Sequence, residues 1–270
     1  MLCLQSVPLN DIPIFYQESE QINQFQLKGV IACGSTGYIR ECINARDHRT
    51  YALKCVSKKA LMHRQGFRFN VAASRGAQLS PSQNGVTIYL NDFKQEVMTL
   101  RGLRHPHIIR LYGLIGDDQH DLFYMVYEYA PLGPVMVLGP ETVPFPEDRA
   151  RLFFHQLVQA VDFLHRRDII HRDIKPANIL LKNKCCIKLA DFGLTYMLSK
   201  SEARLRRSVG TPAFQSPEAI AGDAGCAVDV WAMGVTLYCF VFGRTPWPDV
   251  QNVLQLYKHI REDSITFDPA

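Results

Sequence analysis

The sequence predicts an α+β protein in two lobes, an N-terminal five-stranded antiparallel sheet with one helix and a mainly helical C-terminal lobe. Three observations predict it. β-Branched and aromatic residues alternate through residues 25–56 and recur through 107–129, helical periodicity begins at Pro146, and residues 226–242 form an apolar run of helical length.

The segments "FQLKGVI", "YIRECINA" and "TYALKCV" read as a three-strand meander, with Gly34 to Gly37 and Asp47 to Arg49 as its turns. Apolar periodicity then vanishes from Arg64 to Gly85, so residues 64–87 read as a polar, mobile insertion. A helix follows over 88–103, with Phe93, Val97 and Leu100 on one face and Asn91 or Asp92 as its cap. Two more strands, "HIIRLYGLI" and "LFYMVYEY", flank the polar turn from Gly116 to Asp121. This gives an extension at 1–23, an N-terminal lobe at 24–129 and a C-terminal lobe at 130–268.

Pro146, Glu147 and Asp148 open an amphipathic helix whose apolar positions are Ala150, Phe153, Phe154, Leu157, Val161 and Leu164. Acidic residues in a first turn suit the positive end of the helix dipole. The run 226–242, "CAVDVWAMGVTLYCFVF", is apolar nearly all round, as expected of a helix at the centre of a lobe. Asp229 inside it makes it a poor membrane span.

Composition narrows the function. With 47% apolar and 21% charged residues in 270, the chain is globular, and a net charge of +4 is too small and dispersed to argue for nucleic acid. Its eight cysteines show no CxxC spacing, so neither a zinc site nor a disulfide framework is expected. The start, "MLCLQSVPLNDIPIFYQ", lacks the basic region of a signal peptide, and a soluble, intracellular, cytoplasmic or nuclear protein is expected.

Five motifs occur in order. "VIACGSTGYI" nearly spells a glycine-rich phosphate loop, with Ala32 where the first glycine belongs. "YALK" ends at Lys54 on a strand, Glu96 lies on the first helix, "HRDIKPAN" runs from His171 to Asn178 after the long helix, and "DFG" runs from Asp191 to Gly193 after a short strand pair. "SPE" follows, from Ser216 to Glu218. Singly each has a bland reading, such as a surface lysine, a helix ion pair or a turn. Together, in this order and context, they resemble the protein kinase signature.

The resemblance implies ATP and Mg2+ as cofactors. Lys54 would contact the α- and β-phosphates and Glu96 would hold it by an ion pair, while Asn178 and Asp191 would supply oxygen ligands to magnesium. Asp173 would accept the proton of the substrate hydroxyl, and Lys175, beside Thr211, would neutralise the γ-phosphate, as in Ser/Thr kinases. Gly34 and Gly37 would cover the phosphates. Adenine would lie against Ile31, Ile39, Ala52 and Leu180, with Tyr127 at the back and the backbone from Glu128 to Ala130 bonding it. Leu100, Leu111, His171 and Phe192 match the stacked side chains of an active kinase. Ala32 is harmless in extended backbone but costs about 1–2 kcal/mol where positive φ is required; the expectation is a modest loss of ATP affinity, recovered by Ala32→Gly.

Narrower features, "SKKALMHRQGF" with its insertion, "LGPVM", "VGTPAF" and "DVWAMGVTLYCFVFG", resemble the calcium/calmodulin-dependent protein kinase kinase family. That family phosphorylates activation-loop threonines of downstream kinases, including calcium/calmodulin-dependent kinases and AMP-activated protein kinase, and binds calmodulin through a tail absent from this chain. The departures are an insertion with Arg64, Arg68 and Arg75 but only Pro81, and a run of Arg204, Arg206 and Arg207 beside Ser208, read as a solvated charge run or a phosphate-pairing site. The chain stops at "ITFDPA", so a truncated C-terminal lobe is expected, lacking an arginine partner for Glu218. The rival expectation is a truncated, non-catalytic, kinase-like interaction module.

Overall fold

The structure, a computed structural model, describes residues 16–17, 21–34, 37–57, 97, 100–116, 121–193, 195–197, 210–223, 225–247, 250 and 252–267. The expected insertion at 64–87, the caps Asn91 and Asp92, Phe93, Glu96 and the run from Arg204 to Ser208 lie outside them. The chain divides into two compact units, one of Met1–Arg104 and Arg110–Tyr129, the other of His105–Ile109 and Ala130–Ala270.

The first unit contains β1 (Tyr16–Gln17), β2 (Gln21–Ile22), β3 (Phe25–Gly34), β4 (Gly37–Asn44), β5 (Thr50–Ser57), β6 (Leu111–Ile115) and β7 (Leu122–Glu128). They form one antiparallel sheet in the order β1-β2-β3-β4-β5-β7-β6, so two short strands extend the expected five. Alternation along β5 decides which face does what. Tyr51, Leu53 and Cys55 turn to one face and are buried with Phe25, Cys42, Tyr124 and Val126. Tyr51 meets Phe25 and Tyr112 edge-on, with ring centroids at 5.8 and 5.2 Å. Burying Leu53 alone contributes about 1.5–3 kcal/mol.

Ala52 and Lys54 take the opposite face. Register places Ile39 and Met125 opposite Lys54, and Glu41 and Tyr127 opposite Ala52, so these six residues share one side of the sheet. The helical residues described before β6 are Val97 and Leu100–Gly102, with Val97 and Leu100 buried.

The run "HIIRLYGLI" is not one strand. Only Leu111–Ile115 joins the sheet. His107 to Ile109 instead borders another strand, β10 (Cys186–Leu189): Ile109 N donates to Leu189 O and Leu189 N donates to His107 O, both at 2.8 Å. Ile108 and Ile109 bury on that side, a choice that β-branched residues in sequence cannot reveal because they suit either neighbour.

The second unit is built on α1 (Glu147–His165), whose first turn carries Glu147 and Asp148 behind Pro146. Ala150, Phe153, Leu157, Val161 and Leu164 are buried and Phe154 is half-buried. Gln156, a polar residue on the buried face, is also enclosed. Its Nε2 donates to Cys185 O at 2.8 Å and its Oε1 accepts from Ile187 N at 2.9 Å, clamping the turn between β9 (Ile179–Asn183) and β10.

Two-residue strands β8 (Ile169–Ile170) and β11 (Tyr196–Met197) pair beside them. Ser216 caps α2 (Pro217–Ala221) by accepting from Ala219 N at 3.2 Å. The apolar run forms α3 (Ala227–Phe242), ended by Gly243 at φ 70°. It is not enclosed on every side, since Val230 is 59% and Val241 40% exposed. Asn252 caps α4 (Val253–Glu262), which the sequence reading did not single out although Val253, Leu256, Tyr257 and Ile260 fall at helical spacing. Among the described residues no helix is long and apolar enough to cross a membrane.

Gln156→Leu leaves Ile187 N and Cys185 O without their partners. We expect a loss of about 1–3 kcal/mol, measurable in denaturant melts.

Candidate active site

The loop between β8 and β9 is held by one carboxylate. Asp229, fully buried at the start of α3, accepts from His171 N at Oδ2 and from Arg172 N at Oδ1, each at 2.8 Å. His165 Nε2 on α1 stands 2.8 Å from the same Oδ2. To present both N–H groups, Arg172 adopts φ 67°. A left-handed residue costs about 1–2 kcal/mol, and each hydrogen bond to a charged group returns about 1.5–3 kcal/mol, so the carboxylate wins.

Two residues further on, Asp173 is 8% exposed and bonded at both oxygens. Oδ1 accepts from Thr211 Oγ1 at 2.7 Å and from Thr211 N at 3.2 Å. Oδ2 accepts from Lys175 Nζ at 2.9 Å and Asn178 Nδ2 at 2.8 Å. Lys175 Nζ also donates to Thr211 Oγ1 at 2.6 Å. The short helical turn Pro176–Asn178 brings Asn178 back beneath Asp173, where Nδ2 also donates to Asp173 O at 2.8 Å. Because Nδ2 is used, Asn178 keeps its amide oxygen for another partner.

Thr211 follows Gly210, whose backbone passes so close to the loop that an added Cβ would stand 2.5 Å from Arg172 O. Gly210 also has φ 118°. Only glycine brings the Thr211 segment this near to Asp173.

β10 delivers the second metal-ligand candidate. Asp191 is exposed and left-handed at φ 61°, while Phe192 behind it is buried. Phe192 packs edge-on against His171 with centroids at 4.9 Å. His171 is fully enclosed, with Nε2 3.1 Å from Ala190 O and Nδ1 accepting from Asp173 N at 3.3 Å. That pairing fits a neutral ring protonated on Nε2, and burial pushes the imidazole below its ordinary range, outweighing the nearby acids Asp229, Asp173 and Asp191. Leu180, half-buried on β9, bridges to Pro134, and Ala130 is buried at the start of the segment that runs alongside.

The other candidates belong to the sheet unit. Lys54, Ala52, Ile39 and Tyr127 share one face of β4, β5 and β7, and Glu128 ends β7 with its N–H donated to Arg110 O at 2.8 Å. Gly34 and Gly37 pair at the tip of the β3–β4 hairpin, with Ile31 exposed nearby. At Gly37, with φ 153°, an added Cβ would fall 1.8 Å from Cys55 O. Ala32 pairs with Ile39 inside β3 and is not among the residues with positive φ. The backbone strain that would make Ala32 costly is therefore not there. Leu100 and Leu111 are buried in this unit.

Oxygen donors from Asn178 and Asp191 suit a hard cation such as Mg2+, which takes one or two protein ligands and completes its shell with phosphates and water. No group of three or more His, Cys, Asp or Glu able to hold a metal occurs among the described residues.

An antiparallel sheet unit bearing a lysine on the face away from the Tyr51–Leu53–Cys55 core, and a helical unit presenting an aspartate between a lysine and an asparagine, define a phosphotransferase of the protein kinase type. The protein kinase domain family matches residues 25–268, and the chain belongs to it. It is similar to a calcium/calmodulin-dependent protein kinase kinase of Caenorhabditis elegans, 34% identical over 256 residues that cover 93% of this chain and 47% of that protein. It is also similar to the serine/threonine-protein kinases GRIK2 and GRIK1 of Arabidopsis thaliana, each 34% identical, covering 84% and 85% of this chain and 52% and 54% of theirs. The chain spans about half the length of these curated relatives.

Sequence motifs pointed to Asp173, Lys175, Asn178 and Asp191 but missed what anchors them. The signal for Asp229 was available: one acid in an otherwise apolar helix needs a buried partner. Asp229→Ala strands two backbone N–H groups, and we expect about 2–6 kcal/mol of lost stability in thermal or denaturant melts. Gly37→Ala is expected to lower both thermal midpoint and nucleotide affinity, whereas Ala32→Gly changes nucleotide affinity by less than about twofold, measured by titration calorimetry.

Proposed function

We propose that this chain is the catalytic part of a Ser/Thr protein kinase that transfers the γ-phosphate of ATP to activation-loop threonines or serines of downstream protein kinases. The observation that carries the proposal is the network in which Asp173, Lys175, Asn178 and Thr211 hold one another at 2.6–2.9 Å. The family uses ATP and magnesium in general, and the donor sets in both units are compatible with that use.

Phosphoryl transfer asks for positioning and charge neutralisation more than for covalent help. Asp173 aims the substrate hydroxyl and takes its proton. Its carboxylate is already held from both sides, so no reorganisation is needed when the proton moves. Lys175 places a cation beside that oxygen, where the transferred phosphoryl group carries its charge. Lys54 neutralises the α- and β-phosphates. Magnesium, when bound by Asn178 and Asp191, neutralises charge on the phosphate oxygens. Gly34 and Gly37 would let the hairpin backbone approach the phosphates, and Ile31, Ile39, Ala52 and Tyr127 are the sheet unit's candidates for contact with adenine.

The similarity to one protein whose own name describes a calcium/calmodulin-dependent protein kinase kinase supports downstream kinases as substrates; the proposed targets are of the calcium/calmodulin-dependent or AMP-activated type. Calmodulin, where it acts, would bind outside the catalytic residues described above. In an assay of purified chain, Mg-ATP and an inactive downstream kinase, we expect phosphate on the target's activation-loop threonine. Asp191→Ala and Asp173→Asn should lower that transfer by at least about 100-fold. Nucleotide binding without transfer would instead identify a kinase-like interaction module.

A further inference from the structure

Seven cysteines fall among the described residues, all as free thiols. They are not equally reactive. Burial pushes the thiols of Cys42, Cys55 and Cys239 up to about 12, 11 and 12, and it raises Cys226 as well. Such groups stay protonated near neutral pH and react slowly. Cys33 and Cys185 are exposed and Cys186 is half-buried. Of these three, Cys185 and Cys186 are adjacent in the chain, at the turn joining β9 to β10.

The surroundings of that turn are specific. Cys186 Sγ lies 3.9 Å from His107 Nδ1, which itself lies 3.3 Å from Ile187 O. A carbonyl oxygen only accepts, so the Nδ1 position carries the proton and can also donate to sulfur. Gln156 grips the backbone on both sides of Cys186, through Cys185 O and Ile187 N. Three residues after Ile187, the same strand leads to Ala190, whose carbonyl faces His171.

We propose that Cys185 and Cys186 are a redox-sensitive thiol pair that closes reversibly into a vicinal disulfide under peroxide and releases the turn from Gln156. The exposed Cys185 thiolate attacks a peroxide oxygen. An S–O bond forms, the O–O bond breaks, and hydroxide leaves to become water. Cys186 sulfur then attacks Cys185 sulfur, forming the S–S bond while the S–O bond breaks and a second water leaves. In sum, two thiols and one hydrogen peroxide give one disulfide and two waters.

Adjacent Cα atoms stand about 3.8 Å apart, closer than the roughly 4.4–6.8 Å usual in disulfides. The ring therefore closes only by twisting the Cys185–Cys186 peptide. Twisting takes Cys185 O away from Gln156 and leaves a buried amide unmatched. Strained, exposed disulfides are also readily reduced, which makes the step reversible.

The test is the reduced full chain treated with hydrogen peroxide, followed by peptide mapping and thermal melts, and it needs no kinase activity. We expect the peptide bearing both cysteines to lose two hydrogens, dithiothreitol to restore them, and the oxidised chain to melt about 3–6 °C lower. Cys185→Ser and Cys186→Ser should melt like the reduced protein and show neither change under peroxide. The proposal is overturned by a stable sulfinic acid on Cys185, by oxidation confined to Cys33, or by a disulfide that leaves the melting temperature unchanged.

Discussion

Everything in the helical unit that bears on chemistry hangs from the Asp229 carboxylate. It is fully buried, and a charge in that position is tolerable only because donors surround it. Two of those donors are consecutive backbone N–H groups of the loop, and the third is a ring nitrogen on α1. The carboxylate thus ties α3, α1 and the loop together at one point. Moving any of the three would expose a buried ion to an unmatched neighbour, so the loop inherits the rigidity of α1 and α3.

Rigidity at that point is what the Asp173 site needs. Its two oxygens receive four hydrogen bonds, from a lysine, an asparagine and both the hydroxyl and N–H of one threonine. A base held this way loses little freedom when a substrate hydroxyl arrives, which is the physical content of preorganisation. The arrangement also explains the identity of Thr211. A hydroxyl there donates to the aspartate and accepts from Lys175 at once, while a purely apolar side chain could do neither.

Backbone strain marks several candidate site residues, although Asn23, His48 and Asp168 are left-handed elsewhere. Arg172 and Asp191 are left-handed without being glycine, and Gly210 and Gly37 occupy positions where a Cβ would strike a carbonyl. Each costs stability in isolation, and each stands where a side chain or backbone amide must be aimed. The strained positions are held by the buried groups around them. His171, set edge-on against Phe192 and bonded to Ala190, links the loop to the segment that carries Asp191.

The amino-acid sequence by itself determined the class of fold and the chemical groups. Alternation set the strands of the sheet and the face on which Ala52 and Lys54 stand, because a period of two leaves no choice once Tyr51, Leu53 and Cys55 are buried. Ordered motifs supplied Asp173, Lys175, Asn178 and Asp191, while Glu96 lies outside the described residues. Tertiary structure alone decided what Asp229 binds, that Gln156 closes the β9–β10 turn, that His107 to Ile109 leaves the sheet for β10, and that Cys186 meets His107. The reason is distance along the chain. Asp229 lies 58 residues from His171, and Cys186 lies 79 from His107, whereas local periodicity reports only neighbours a few residues apart.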